Sequence, residues 1–132
     1  MKIHESAENY LEAILMLKQE KGLVRSIDIA HRLGFSKPSV SRAVGLLREN
    51  GYITMEKDGG WIELTPSGRE IAGRIYERHQ LFTSWLIRLG VAPEVAAEDA
   101  CRIEHDVSEE TFGRLKAHIQ ANMGGESDEN PQ

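Results

Sequence analysis

Two short amphipathic helices joined by a tight glycine turn are predicted in the first half of the chain, and this pattern constrains the fold more than any other feature. Ala30 is small where two helices must approach closely, Gly34 supplies the turn four positions later, and Val40 follows six positions further on in a shared core. Ser26 and Ser36 are the expected N-caps of the two helices. The spacing is typical of a helix-turn-helix, although a helix pair with a purely structural role is the alternative.

The hydrophobic period changes directly after Gly51. Residues 52–56 and 61–65 alternate between apolar and polar side chains around an Asp-Gly turn, which predicts a β-hairpin. A hairpin that follows a recognition helix is a wing, and Lys57 near its tip is placed to meet DNA phosphate. Residues 1–66 are therefore predicted to form a winged helix-turn-helix that binds DNA.

The N-terminal part of a recognition helix faces the base edges of the major groove. Arg42 is the strongest candidate for a base contact, because a guanidinium pairs bidentately with guanine. Arg25 and Lys37 are better placed to grip the phosphate backbone. The smaller residues expected at the DNA surface are Ser36, Pro38, Ser39 and Ser41.

The charge distribution supports a DNA partner even though the whole chain carries a net charge of −5. Residues 1–60 hold nine Lys and Arg against eight Asp and Glu, whereas residues 61–132 hold seven against thirteen. Within residues 23–48 there are five basic side chains and one acidic side chain. Such a local basic patch is typical of a DNA-reading element, although a solvated helix face has the same composition.

Most of the remaining chain is predicted to be helical. The helices outside the helix-turn-helix are expected from about His4 to Lys21, from Pro66 to Gly90, from Pro93 to His105 and from Ser108 to about Met123. Residues 67–123 are thus predicted to form a second, helical domain. Residues 124–132 are polar, acidic and rich in glycine, so we expect a disordered tail there.

The sequence predicts a cytoplasmic protein. No run of about 18 apolar residues is present, so no transmembrane helix is expected. The first ten residues carry charges where a signal peptide needs an apolar core. A single cysteine cannot form an internal disulfide, which agrees with a reducing compartment.

The strongest chemical signal is the segment from Cys101 to His105. Cys101, Glu104 and His105 are spaced i, i+3 and i+4, so on one helix they would share a face. A thiolate, a carboxylate and an imidazole suit a borderline transition metal such as Fe(II), Mn(II), Co(II), Ni(II) or Zn(II), and do not suit Mg or Ca. His79 and Glu12, on earlier helices, are candidates to complete the ligand shell. A packed structural cysteine beside a solvated Glu-His pair is the alternative.

The chain resembles the diphtheria-toxin-repressor family of metal-dependent regulators, which includes the iron-dependent repressors and the manganese transport regulators. The resemblance covers nearly all of residues 5–118. It is carried by five blocks in the family's order, namely SAENYLEAI, DIAHRLGFSKPSVSRAV, GYI with GWIELTPSGREIA, IYERHQLF, and DACRIEH followed by SEETF.

The resemblance implies a mainly α fold, with a winged helix-turn-helix head followed by an all-helical dimerisation domain. Its implied metal ligands are His79, Cys101, Glu104 and His105, with Glu12 from the first helix. It also implies a cytoplasmic homodimer, not an enzyme, that binds a palindromic double-stranded operator when loaded with Mn(II) or Fe(II) and controls metal-uptake genes. Co, Ni and Zn are expected surrogates, and neither a membrane nor an organic cofactor is implied.

The match mixes features of both branches of the family. Cys101 is typical of the iron repressors, whereas Glu12 is the first-helix ligand of the manganese regulators. Asn9 stands where the family has Met or Asp, and its amide oxygen is a weaker ligand. Thr83 and Ala97 replace ligands of the iron branch's ancillary site, which favours one metal per subunit. The length favours the short, manganese-type architecture without an SH3-like domain.

Three other functions are compatible with parts of the sequence. A winged-helix regulator that responds to a non-metal ligand would leave DACRIEH unexplained. A metalloenzyme would need a further base and a substrate pocket, and would leave the basic helix-turn-helix idle. A protein-binding adaptor would lack sequence-specific DNA binding.

Overall fold

The computed structural model describes residues 5–57 and 60–129, and it is built almost entirely of helices. In chain order the elements are α1 (Glu5–Lys21), α2 (Ser26–Leu33), α3 (Lys37–Glu49), β1 (Ile53–Met55), β2 (Ile62–Leu64), α4 (Pro66–Arg88), α5 (Pro93–Ile103) and α6 (Glu109–Glu129). None of the helices in these ranges is long and apolar enough to cross a membrane. The mainly α class with a winged helix-turn-helix is confirmed.

The chain divides into two compact units, Met1–Ile75 and Tyr76–Gln132. The division lies inside α4, further along the chain than the boundary after residue 66 that the sequence suggested. Ile71 and Ala72, in the early turns of α4, pack into the core of the N-terminal unit. The start of a long helix can therefore belong to one core while its later turns belong to the next.

The N-terminal unit is a winged helix. Its core is formed by the inner faces of the first three helices and by the wing, with Leu11, Ile29 and Val40 fully buried. Strands β1 and β2 pair antiparallel with Ile53 opposite Leu64, as expected for the predicted hairpin. The Asp-Gly tip of the hairpin lies outside the described residues.

Glycine defines the turn between α2 and α3. Gly34 adopts φ 72° and ψ 29°, and its backbone N–H donates to the carbonyl of Ala30. A side chain is disfavoured in this left-handed conformation, so glycine is the fitting residue. The N-terminus of α2 differs from expectation, because the helix begins at Ser26 itself. Asp28 reaches back to accept from the backbone N–H of Arg25 at 2.9 Å, and this bond does the capping.

The C-terminal unit has its own smaller core. Phe82, Ala100 and Phe112 are buried together, and the rings of Phe82 and Phe112 meet edge to face with centroids 5.8 Å apart. Ser108 caps α6 as predicted, since its hydroxyl accepts from the backbone N–H of Thr111 at 3.1 Å.

Two predicted helix ends are wrong. Helix α5 ends at Ile103 rather than at His105, because the chain enters a turn there whose carbonyls have partners outside the helix. Helix α6 extends to Glu129 rather than to about Met123, so residues 124–129 are helical where a disordered tail was expected. Extending an established helix is much easier than nucleating one, so a helix can continue through residues of weak helix propensity such as Gly124 and Gly125.

Candidate metal centre and nucleic-acid interface

The first turn of α3 forms the predicted DNA-reading surface. The Ser36 hydroxyl accepts from the backbone N–H of Ser39 at 3.3 Å, and Pro38 lies in the first turn, where a missing N–H costs little. Lys37, Pro38 and Arg42 are exposed, whereas Ser39 is half-buried. Ser41 is also exposed, so this end of the helix offers its polar side chains to an approaching duplex.

Arg25 lies beside the wing. Its guanidinium stands over the Trp61 ring, 5.2 Å from the ring centroid. Trp61 was missed in the sequence, where it read only as a strand residue. Its signal is indirect: an aromatic residue near the tip of a wing has a flat face on which a cation can stack.

A surface cleft of about 450 Å³ lies beside Arg25 and the recognition helix. It is lined by Arg25, Ser26, Ile27, Lys37, Ser41, Met55 and Gly60. Two of these residues are basic and none is acidic, so the cleft suits the phosphate backbone of DNA. Lys57 is exposed and lies two residues after strand β1 of the wing.

Three side chains predicted to bind metal converge in the C-terminal unit. The ligand atoms of His79 on α4, Cys101 on α5 and Glu104 at the end of α5 all lie within 4.8 Å of one another. The His79 Nδ1 atom is 3.0 Å from Glu104 Oε1 and 3.9 Å from Cys101 Sγ. Donor atoms bound to one metal at about 2.0–2.3 Å lie up to about 4.6 Å apart, so a small contraction would let these three share an ion.

The electrostatics of the cluster favour a cation. Glu104 is fully buried, whereas Cys101 is exposed, so the cluster extends from the interior to the surface. The neighbouring Cys101 thiol and the Glu104 carboxylate raise the pKa of His79 to about 10, although burial opposes them. The two groups therefore stabilise positive charge at the imidazole, and a metal ion would supply that charge in place of the proton.

His105 lies in the turn that follows α5. Its Nε2 atom is 3.2 Å from Glu104 Oε2, and its side chain is almost completely buried. Helix α5 ends at Ile103, but Glu104 is its C-cap in the right-handed helical conformation, so Cys101 and Glu104 keep the shared face that their spacing predicts. His105 lies beyond the cap, and it contacts the other carboxylate oxygen of Glu104. The two carboxylate oxygens of Glu104 therefore face different imidazoles, those of His79 and His105.

Asn9 and Glu12 lie on α1 in the N-terminal unit. Glu12 is buried, with 6% of its surface exposed, and Asn9 is half-buried. Their assignment as ligands remains a prediction.

Family models match both halves of the chain. The N-terminal DNA binding domain of the iron dependent repressors matches residues 2–61, and their metal binding and dimerisation domain matches residues 65–122. The transcriptional regulator MntR of Salmonella typhimurium is 40% identical over 116 residues, which are 88% of this chain and 73% of that protein. The HTH-type transcriptional regulator MntR of Bacillus pumilus is 39% identical over 115 residues, which are 87% of this chain and 79% of that protein.

Solved structures with the same fold are also similar. The IdeR protein of T. acidophilum superposes with a TM-score of 0.76 at 29% identity, over 94% of this chain and 55% of that chain. A manganese-dependent transcriptional repressor in complex with manganese gives a TM-score of 0.74 at 32% identity, over 89% of this chain and 52% of that chain. This chain thus spans about half the length of these two proteins.

Proposed function

Because this chain belongs to the iron-dependent repressor family of metal-dependent transcriptional regulators, we propose that it is a repressor that binds operator DNA as a homodimer when loaded with Mn(II) or Fe(II). The observation that carries the proposal is the convergence of His79, Cys101 and Glu104 in a chain that also exposes a basic recognition helix. A metal-uptake gene is the expected target, since repression under metal sufficiency closes a feedback loop.

The donor set fits a divalent transition metal. It combines imidazole, thiolate and carboxylate, which together suit Fe(II), Mn(II), Co(II) or Zn(II) better than Mg. We assign His79, Cys101, Glu104 and His105 as ligands in the C-terminal unit. Glu12 joins them in this proposal, with Asn9 as a weaker ligand, and these two rest on the family resemblance. The bound metal would supply a positive charge shared among these donors.

The DNA contacts are assigned to the exposed side of α3, to Arg25 and to the wing. Arg42 would read a base, since its guanidinium is exposed and can pair bidentately with guanine. Arg25, Lys37 and Lys57 would contact phosphates, and the hydroxyls near the start of α3 would fix the register. The exposed Pro38 would pack on a thymine methyl group.

A homodimer would bring two reading heads to a palindromic site. Large apolar side chains are exposed near the end of α4 and the start of α5. Ile87, Leu89 and Val95 are 42%, 64% and 47% exposed. We assign them to the dimer interface, because large apolar groups on a surface mark a contact with another chain.

Metal and DNA binding would be coupled through linkage, so that each ligand strengthens the binding of the other. A coupling of about 1–3 kcal/mol would tighten DNA binding on the order of 5–150-fold. In this scheme the metal-binding side chains, once loaded, favour the dimer arrangement that binds DNA. The two recognition helices then lie in successive major grooves.

The test is operator binding with and without metal. Duplexes are selected from a random-sequence library with metal-loaded protein, and their affinity is then measured by fluorescence anisotropy with Mn(II), anaerobic Fe(II), Mg(II) or a chelator. We expect Mn(II) or Fe(II) to tighten binding and Mg(II) to leave it unchanged. Cys101→Ala and His105→Ala should lose this response.

The neighbouring Arg102 offers a matched control. Its side chain is 73% exposed and pairs with Asp99 rather than with the cluster, so Arg102→Gln should keep the metal response. DNA affinity that is indifferent to every divalent metal would contradict the proposal and favour a regulator of another ligand class. Loss of the response in Arg102→Gln would contradict the ligand assignment.

A further inference from the structure

We propose that Arg78 is a positioning residue that holds the turn of residues 104–107 in the conformation that aims Glu104 and His105 at the metal site. This role rests on the proposed function, because it concerns the same ligands. Arg78 is itself no ligand, since a guanidinium stays protonated and has no lone pair to give.

Arg78 is a buried cation with backbone acceptors. Only 5% of its surface is exposed. Its Nη1 atom donates to the carbonyl oxygen of Glu104 at 3.0 Å and to that of Val107 at 2.6 Å. Its Nη2 atom lies 3.5 Å from Glu109 Oε2, and its guanidinium stands over the Phe112 ring, 4.8 Å from the centroid.

These contacts explain why the chain leaves the helix where it does. The last carbonyls of a helix have no partner within it, and a buried carbonyl without a partner is costly. Arg78 satisfies the carbonyl of Glu104 and, three residues later, that of Val107, so one planar group spans the whole turn. The backbone between these two points carries His105.

The position of Arg78 ties this turn to another ligand. His79 is the next residue of α4, and its Nδ1 atom lies 3.0 Å from the Glu104 carboxylate. On helix α4, His79 thus supplies one ligand, and Arg78 fixes the backbone that carries the ligands Glu104 and His105. Groups of this kind typically change metal affinity about 10–100-fold when they are altered, because they set ligand orientation.

Arg78→Lys is the informative variant. Lysine keeps the positive charge, but its single nitrogen cannot both donate to the two carbonyls, as Nη1 does, and contact Glu109, as Nη2 does. We expect the variant to fold, with the helical circular dichroism of the parent, and to bind Co(II) about 10–100-fold more weakly. The Co(II) d–d bands and the thiolate-to-cobalt charge-transfer band of Cys101 should also change, because the ligands are misaligned.

Two controls separate positioning from general stability. Phe112→Leu weakens the core beneath the guanidinium but leaves the donors of Arg78 in place, so it should lower the thermal midpoint without altering the Co(II) spectrum. Arg102→Lys changes an exposed arginine beside Cys101 and should change neither. Thermal midpoints are measured on metal-free protein, and Co(II) affinity and spectra at one fixed pH.

Three results would overturn the role of Arg78. One is an Arg78→Lys protein with the parent's affinity and spectrum. Another is equal loss of Co(II) affinity in Arg78→Lys and Phe112→Leu at equal destabilisation. The third is an Arg78→Lys protein that does not fold, since Arg78 would then serve the fold alone. Failure of the metal site itself would be visible earlier, as a parent protein that does not bind Co(II).

Discussion

A single methyl group at Gly68, in the first turn of α4, should disrupt the junction between the wing and that helix. A Cβ atom at this position would lie 2.0 Å from the carbonyl oxygen of Tyr52 and 3.0 Å from its carbonyl carbon. Both are backbone atoms and cannot rotate away. Restoring ordinary van der Waals contact needs a shift of about 1 Å or more.

That shift would disturb hydrogen bonds as well as packing. The same Tyr52 oxygen accepts from the backbone N–H of Thr65 at 3.0 Å, and the Thr65 hydroxyl donates to the carbonyl of Gly51 at 2.7 Å. Overpacking costs about 1–3 kcal/mol, and each hydrogen bond lost costs about 0.5–1.5 kcal/mol. Alanine returns about 1 kcal/mol through helix propensity, so with both hydrogen bonds lost we expect Gly68→Ala to lower the free energy of unfolding by about 1–5 kcal/mol.

Gly73 is a matched control in the same helix. A Cβ atom there meets nothing within 4 Å, so Gly73→Ala should raise the free energy of unfolding by up to about 1 kcal/mol. The two substitutions are chemically identical and have opposite predicted signs. Urea unfolding followed by circular dichroism, with chelator and at equal protein concentration, measures both. A Gly68→Ala protein as stable as the parent would refute the reasoning.

Three further predictions concern the DNA-binding unit. Trp61→Leu should weaken DNA binding about 2–5-fold, because it removes a stacking contact with Arg25 worth about 0.5–1 kcal/mol. In an Arg25→Ala protein the same substitution should have no further effect. An equal loss of affinity in both proteins would show that Trp61 does not act through Arg25. Asp28→Asn should destabilise the protein at pH 7. The Lys21 ammonium holds the pKa of Asp28 below its usual range, so the difference from the parent should vanish as pH falls through that lowered value; a pH-independent difference in urea unfolding would contradict this. Arg42→Ala should lose about 1–3 kcal/mol of discrimination at one base position of the operator. Lys57→Ala should weaken the binding of all duplexes alike and reduce the slope of log affinity against log salt concentration by about 1. The reverse pattern in anisotropy titrations would make Lys57 the base contact and Arg42 the phosphate contact.

The sequence predicted the N-terminal unit well because its determinants are local. Ser36 caps α3 by accepting a hydrogen bond from the backbone N–H of Ser39, three positions away. Gly34 supplies a left-handed turn that few other residues tolerate. Alternation in β1 and β2 marked the wing. Helix α2 starts one residue earlier than the sequence predicts, because Asp28 rather than Ser26 provides the capping bond.

The ligand-bearing turn could not be read from the sequence in the same way. Cys101, Glu104 and His105 have a helical spacing, and that spacing alone predicts a continuous helix. The helix ends early where Arg78 meets two backbone carbonyls, 26 and 29 residues away along the chain. Backbone acceptors carry no sequence signature, so neither the turn nor the role of Arg78 could be predicted. The close approach of the Tyr52 carbonyl to Gly68 could not be predicted from the sequence for the same reason.

The recognition helix depends on contacts within its own unit, whereas the clustered metal ligands all lie in the other unit, and this difference determines how a metal would control DNA binding. The recognition helix is capped, turned and packed by residues of its own unit, so α3 has no need of a metal to form. The clustered ligands come from α4, α5 and the turn after α5, so a metal that binds them stabilises the tertiary structure of the C-terminal unit. Metal-free protein should therefore keep amide protection in α3 while losing DNA affinity. Control by metal then acts on how a dimer holds two complete reading heads, and not on whether either head is folded.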